Sequence, residues 1–162
     1  MGGTPNGYHT LMVEACRRWV EEVVLKLNLC PFAHAPWAAG EVRFVASRAD
    51  SAEELLAELF HEASVATGTT LLCTDSFGFE ELHNIAGIGE QLLPDWQVVA
   101  FHPDFRFEGS DPDDPANGVN RSPHGMLHLI RRADIAAVVA ASPNIDDIPF
   151  RNAEKLRKLE EP

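Results

Sequence analysis

The sequence predicts an α/β fold: a small sandwich with a three-stranded or slightly larger, mainly parallel sheet, packed by four to five helices in a single domain over residues 1–162. Three observations lead there. Apolar residues recur at helical spacing in stretches of ten or more residues, short runs of β-branched and aromatic residues fall between them, and their alternation implies crossovers joining parallel strands. Because only three strands are legible, a split, partly antiparallel sheet stays open as the alternative. With 162 residues, 45% of them apolar, the chain can bury a full core without staples or metal.

The first helix is expected over Leu11 to Asn28, where Met12, Cys16, Trp19, Val20, Val23 and Leu27 form an apolar stripe opposite Glu14, Arg17, Arg18, Glu21 and Glu22. Cys16 lies in that stripe and reads as a small buried hydrophobe. Pro31 and Pro36 forbid continuation, and Val42 to Ala46 reads as a strand. Ser51 and Glu54 have the form of a capping box, followed by Leu55, Leu56, Leu59, Phe60 and Ala63 at helical spacing, with Gly68 closing the segment. Thr69 to Cys73 is a continuous β-prone run of the kind buried on both faces. A third helix is expected from Phe79 to Pro94, weakened by Gly87 and Gly89, and Trp96 to Phe101 forms the next strand. Ser122-Pro123 resembles an N-cap followed by proline, so a last major helix is expected through Met126 to Ala141, with His128, Arg131 and Arg132 on one face.

Composition narrows the classes of partner. A formal net charge of −12 argues against nucleic acid and anionic membranes, which call for clustered Lys and Arg. No apolar run approaches the ~20 residues needed to span a bilayer. Three cysteines cannot pair fully within one chain, and no secretory leader pattern opens the sequence, so a reducing cytoplasm is the expected setting.

Chemistry gathers where the Trp96 strand stops. His102 follows the strand directly and Pro103 restricts it, so imidazole at a fixed position becomes available as a general base or a metal ligand. Asp104, Asp111, Asp113 and Asp114 could hold its second nitrogen. Arg121, at the expected helix start, suits a carboxylate or phosphate, or clamps an aspartate of its own loop. His128 would approach His102 only if its helix face turned toward the strand end. Cys30, in LCPF, is the thiol most open to access, although nothing adjacent but His34 would lower its pKa. Metal spacing signatures, phosphate loops and nucleophile elbows are absent from the sequence.

These residues also carry a resemblance. LCPFA at Leu29 to Ala33, TTLL at Thr69 to Leu72, QVVAFHP at Gln97 to Pro103, Phe105 and Phe107, Asp114, Asn117, NRSP at Asn120 to Pro123, LHLIR at Leu127 to Arg131, and the Pro143 to Asn152 tail resemble the bacterial domain-of-unknown-function family DUF1415 over nearly the whole chain. The resemblance brings no established reaction. The chain departs from the family pattern at Gly68, Gly118, Val119, His124, Gly125 and Arg132. His124 and Gly125 stand where the family usually has Tyr-Pro, next to the suspected site.

The expected function is a small-molecule enzyme dependent on a transition metal or haem, an oxidoreductase or a hydrolase. Cys30, His102, Asp114 and His128 are the catalytic candidates, with His102, His128 and Cys30 as metal ligands. Asn117, Asn120, Arg121, His124 and Arg131 would bind a polar or anionic substrate. A metal-free Cys/His enzyme, with Cys30 as nucleophile and His102 as base, is one alternative. A non-catalytic protein-interaction module, with the same residues in a structural network, is the other.

Overall fold

A computed structural model describes residues 5–161. Helix α1 (Pro5–Trp19) passes without a break into a π-helical turn at Val20–Leu25, and α2 (His34–Ala38) follows. Strand β1 (Val42–Ala46), α3 (Ala52–Val65), β2 (Thr69–Thr74), α4 (Phe79–Leu92) and β3 (Trp96–Phe101) come next. A long loop with a 3-10 turn at Pro115–Asn120 leads to β4 (Gly125–Arg131), and α5 (Arg132–Ala141) and α6 (Ile148–Glu160) complete the chain.

The fold is α/β as expected, but the sheet is not mainly parallel. Four strands lie in the order β1-β2-β4-β3, with β1 and β2 parallel and β4 antiparallel to both β2 and β3. The split, partly antiparallel alternative is the one realised. The misreading sits in one segment, since Gly125 to Arg131 is the central fourth strand and the expected helix is real only from Arg132 onward. A short apolar run buried on both sides has no periodicity that separates strand from helix. Ser122 accordingly caps no helix; its hydroxyl donates to the carbonyl oxygen of His124.

Alternation along the strands sends side chains to two faces. On one, Leu72, Val98, Ala100, Leu127 and Leu129 pack against Leu55 and Leu59 of α3 and Leu82, Ile85 and Ala86 of α4. Gly89 lets these two helices meet, because a Cβ there would stand 2.5 Å from Leu59 Cδ2. On the other face, Leu71, Cys73 and Met126 pack against Met12, Cys16, Val20 and Val24. Below, these are called the α3/α4 face and the α1 face.

Local chemistry explains the boundaries. Ser51 Oγ accepts from the Glu54 N–H at 3.2 Å, and Glu54 reaches back to the Asp50 N–H at 2.9 Å, one residue before the reciprocal partner of a standard capping box. Gly68 does not end α3, which stops at Val65; a Cβ at Gly68 would lie 2.4 Å from the Glu41 carbonyl oxygen, so the residue serves a close approach of two backbone segments. Helix α6 is held to the body by Asn152 Nδ2 donating to the Leu29 carbonyl at 2.5 Å and Lys155 Nζ to that of Asn28 at 3.1 Å. No helix among the described residues is long and apolar enough to cross a membrane.

Candidate functional site

The register decides which candidate residues meet. His128 pairs with Leu71 on one side and Val99 on the other, so its side chain stands on the α1 face. His102, one residue past Phe101, falls on the α3/α4 face, where its ring lies against Phe79 with centroids 6.1 Å apart. Sheet backbone therefore separates the two histidines, and His102, His128 and Cys30 do not converge. Among the described residues no group of three or more His, Cys, Asp and Glu side chains is arranged to hold a metal.

His102 is buried and both its nitrogens are used. Nε2 donates to the Phe77 carbonyl at 3.1 Å, and Nδ1 accepts from the Asp104 N–H at 3.0 Å. The exposed Asp104 carboxylate lies 3.8 Å from Nδ1, farther than the Asp104 N–H from which this nitrogen accepts. His102 anchors the end of β3 to the start of α4.

The loop candidates are likewise engaged in fixing their own loop. Asn117, fully buried, accepts from the Phe107 N–H at 2.9 Å and donates to the Asp111 carbonyl at 2.9 Å. Asp114 caps the 3-10 turn by accepting from the Ala116 N–H at 2.9 Å, and that bond, with Arg157 nearby, holds its carboxyl below the usual range. Arg121 donates to the Phe105 and Pro112 carbonyls at 2.8 and 2.7 Å. It also borders an open groove of about 710 Å³ shared with Arg106, Glu80, Glu81, Asp104 and Asp113, where carboxylates outnumber cations. Arg131 stacks over the Trp96 ring at 4.7 Å and donates to the Ala66 carbonyl at 2.5 Å.

His124 belongs to a different cluster. Its Nδ1 lies 2.8 and 2.9 Å from the two oxygens of Asp75, just past β2, and Tyr8 of α1 donates to the same carboxylate. The accepting carboxylate raises the Tyr8 pKa. This trio ties α1 to the ends of β2 and β4.

What remains is a cavity of about 420 Å³ on the α1 face. Its floor is sheet: Thr69, Leu71, Val99, Phe101, His128 and Ile130. Trp19, Val20 and Val24 roof it, and Leu29, Cys30, Phe32 and Trp37 from the turn after the first helix form one wall. Val119, Asn120 and Pro149 close the opposite side, so three separate parts of the chain meet over one patch of sheet. The π-helical turn matters here, because a wider turn shifts the residues that follow relative to an α-helical continuation. Among the described residues, no Lys, Arg, Asp or Glu lines the cavity.

Three candidates, Cys30, Asn120 and His128, thus share a space without His102. His128 Nε2 lies 2.6 Å from Thr69 Oγ1, while Nδ1 has no hydrogen-bond partner among the described residues. The residue is only partly buried, and it lines the cavity floor. Burial lowers the His128 pKa from 6.5 to about 4, so the ring is neutral near pH 7. Burial raises the Cys30 thiol, opposed by the Phe32 and Ala33 N–H groups, so Cys30 is a thiol and not a thiolate.

Sequence reasoning missed Thr69, Gln97 and the tryptophans. Thr69 and Gln97 are polar residues in apolar strands, a visible signal. That they flank Ile130 on one face, next to His128, follows only from the register.

Fold and site together define a class: a single mixed sheet covered by helices on both faces, with a partly open cavity between sheet and first helix that no charged side chain among the described residues lines. The chain belongs to the family described as Protein of unknown function (DUF1415), whose model matches residues 11–162. Neither the curated proteins nor the solved structures contain a match.

Proposed function

We propose that this protein binds a small, uncharged, largely apolar molecule in the cavity of the α1 face, with His128 meeting its polar group. The observation that carries the reading is the unpartnered Nδ1 of His128 in a mainly apolar space of about 420 Å³, whose other polar side chains are Thr69, Gln97 and Asn120. A ring nitrogen left unpaired in such surroundings costs roughly 1–3 kcal/mol, which a ligand would recover. The volume falls within the range of small-molecule sites, ~300–1,000 Å³, and the mixture of apolar walls with few polar groups is what such sites present.

The absence of a charged side chain among the lining residues selects the ligand's charge. An ionised group brought there would lose hydration without a counter-ion, at a cost of several kcal/mol. A neutral ligand therefore fits this space better than the anion suggested by Arg121 and Arg131, whose guanidinium groups are occupied by carbonyls.

A thermal-shift screen of neutral aromatic and aliphatic molecules tests the reading. Binders should raise the melting temperature of the protein and lose that effect in Ile130→Trp, which fills the floor, provided that variant remains folded. A full screen without a hit, or hits indifferent to Ile130→Trp, would reject it. Because Cys30 and His128 line the same cavity, metal-free thiol chemistry on the bound molecule is a second reading. It requires Cys30 to react as a thiolate near neutral pH, so an alkylation rate rising only well above the ordinary thiol range would count against it.

A further inference from the structure

The hydrogen bonds beneath His128 point to the ligand's chemical class. Thr69 Oγ1 has two close polar neighbours, the Leu129 carbonyl oxygen at 2.8 Å and His128 Nε2 at 2.6 Å. A threonine hydroxyl has one proton and can accept two. The carbonyl oxygen can only accept, so the bond to Leu129 takes the hydroxyl proton. If that proton went to the imidazole, two oxygen atoms would face each other at 2.8 Å with no hydrogen between them. Nε2 must then bring its own proton to Thr69. A neutral imidazole has one N–H, so Nδ1 carries a lone pair.

We infer that the cavity is specific for an uncharged apolar molecule that presents a hydrogen-bond donor, such as a phenol, indole or alcohol, to the bare Nδ1 of His128. This rests on the binding reading above and goes beyond it by fixing the polarity of the recognised group. An ether or ester oxygen offers Nδ1 nothing, and a carboxylate meets a lone pair as well as an uncompensated charge. Thr69 is the positioning residue: it never touches the ligand's donor but fixes which nitrogen receives it, as the second partner of a functional histidine generally does. The lowered pKa of His128 keeps the acceptor available through the neutral range.

Calorimetry at pH 7 with 1-naphthol, 1-methoxynaphthalene and naphthalene separates the possibilities. The full chain should bind 1-naphthol about tenfold more tightly than the methyl ether, the value of one net hydrogen bond of ~1.4 kcal/mol. His128→Phe should still bind naphthalene and lose the preference for 1-naphthol. Thr69→Val, which removes the acceptor of the Nε2 proton, should reduce that preference while leaving naphthalene binding in place. Equal affinity for 1-naphthol and its ether, or a naphthol preference that survives His128→Phe, overturns the inference while leaving the cavity reading intact. Should none of the three bind, the cavity reading loses its support, and the polarity is read instead from long-range proton–nitrogen NMR of the free protein. A proton on Nε2 with Nδ1 bare agrees with the inference; a proton on Nδ1 overturns it.

Discussion

The two faces of the sheet use the same kinds of residue to opposite ends. On the α3/α4 face, Leu55, Leu59, Leu72, Leu82, Leu127 and Leu129 are all essentially inaccessible, and His102 at the edge has both nitrogens bonded to backbone. On the α1 face, the helix covers only part of the sheet before its π-helical turn, and the rest is bridged by the wall at residues 29–37. There His128, in the cavity lining, has one nitrogen bonded and one without a partner among the described residues. A histidine whose polar atoms are all satisfied is explained by the fold. One that is half satisfied inside a cavity is not, which makes His128 a better candidate for binding than position at a strand end makes His102.

The largest contrast between the faces should come from truncating their packing. Leu127→Ala, in the dry core, should destabilise the protein by about 3–5 kcal/mol, whereas Ile130→Ala, three residues along the same strand but facing the cavity, should cost only about 1–2 kcal/mol, because part of its surface already meets empty space. Denaturant titrations of the two variants measure this, and equal losses would erase the asymmetry.

Protonation of His128 gives the next effect. Its pKa lies near 6.5 when unfolded and about 4 when folded, so between those values the unfolded chain binds a proton that the native state refuses. Stability contributed by the neutral ring is complete above pH 6.5 and is lost as pH falls toward 4. At ~1.4 kcal/mol per pH unit the loss is about 3 kcal/mol. His128→Phe should flatten that part of the pH profile relative to the parent protein; an unchanged slope would mean that other groups control acid stability.

Replacing each histidine at pH 7 sharpens the same comparison with a smaller effect. His102→Phe leaves the Phe77 carbonyl and the Asp104 N–H without partners and should cost about 2 kcal/mol. His128→Phe frees only Thr69, which keeps its bond to Leu129, and should change stability by less than about 1 kcal/mol. The smallest readout is kinetic. Cys30, partly accessible in the cavity wall, should be alkylated slowly and be protected by any cavity ligand, while the fully buried Cys16 and Cys73 should react only on unfolding.

How legible this was in the sequence differs between elements. Helices α3 and α4 and strands β1 to β3 could be read because amphipathic periodicity, the Ser51 cap and β-branched runs are local signals. Strand β4 could not, since MLHLI is apolar on both faces apart from His128 and its pairing partners lie on either side of it in space while its neighbours in sequence include a true helix, α5. That one segment decides where His128 stands. With β4 read as a helix, His128 was free to swing toward His102; as a central strand it is fixed on the opposite face. The strand-end loop looked functional because its Asn, Asp and Arg residues are rich in donors and acceptors, yet Asn117, Asp114 and Arg121 spend those groups on their own loop backbone. Cys30 and Asn120 stand out in the sequence by residue type and motif, but the cavity they line together with Thr69 and Trp19 exists only once segments far apart in sequence are brought together.

The most direct measurement follows the ring nitrogens of His128 and His102 by long-range proton–nitrogen NMR while 1-naphthol is titrated into the protein. Saturable displacement of the His128 Nδ1 resonance, with His102 unmoved, is the expected result. Displacement of His102 instead, or of neither histidine while the ligand demonstrably binds, would contradict the assignment of the site to the α1 face.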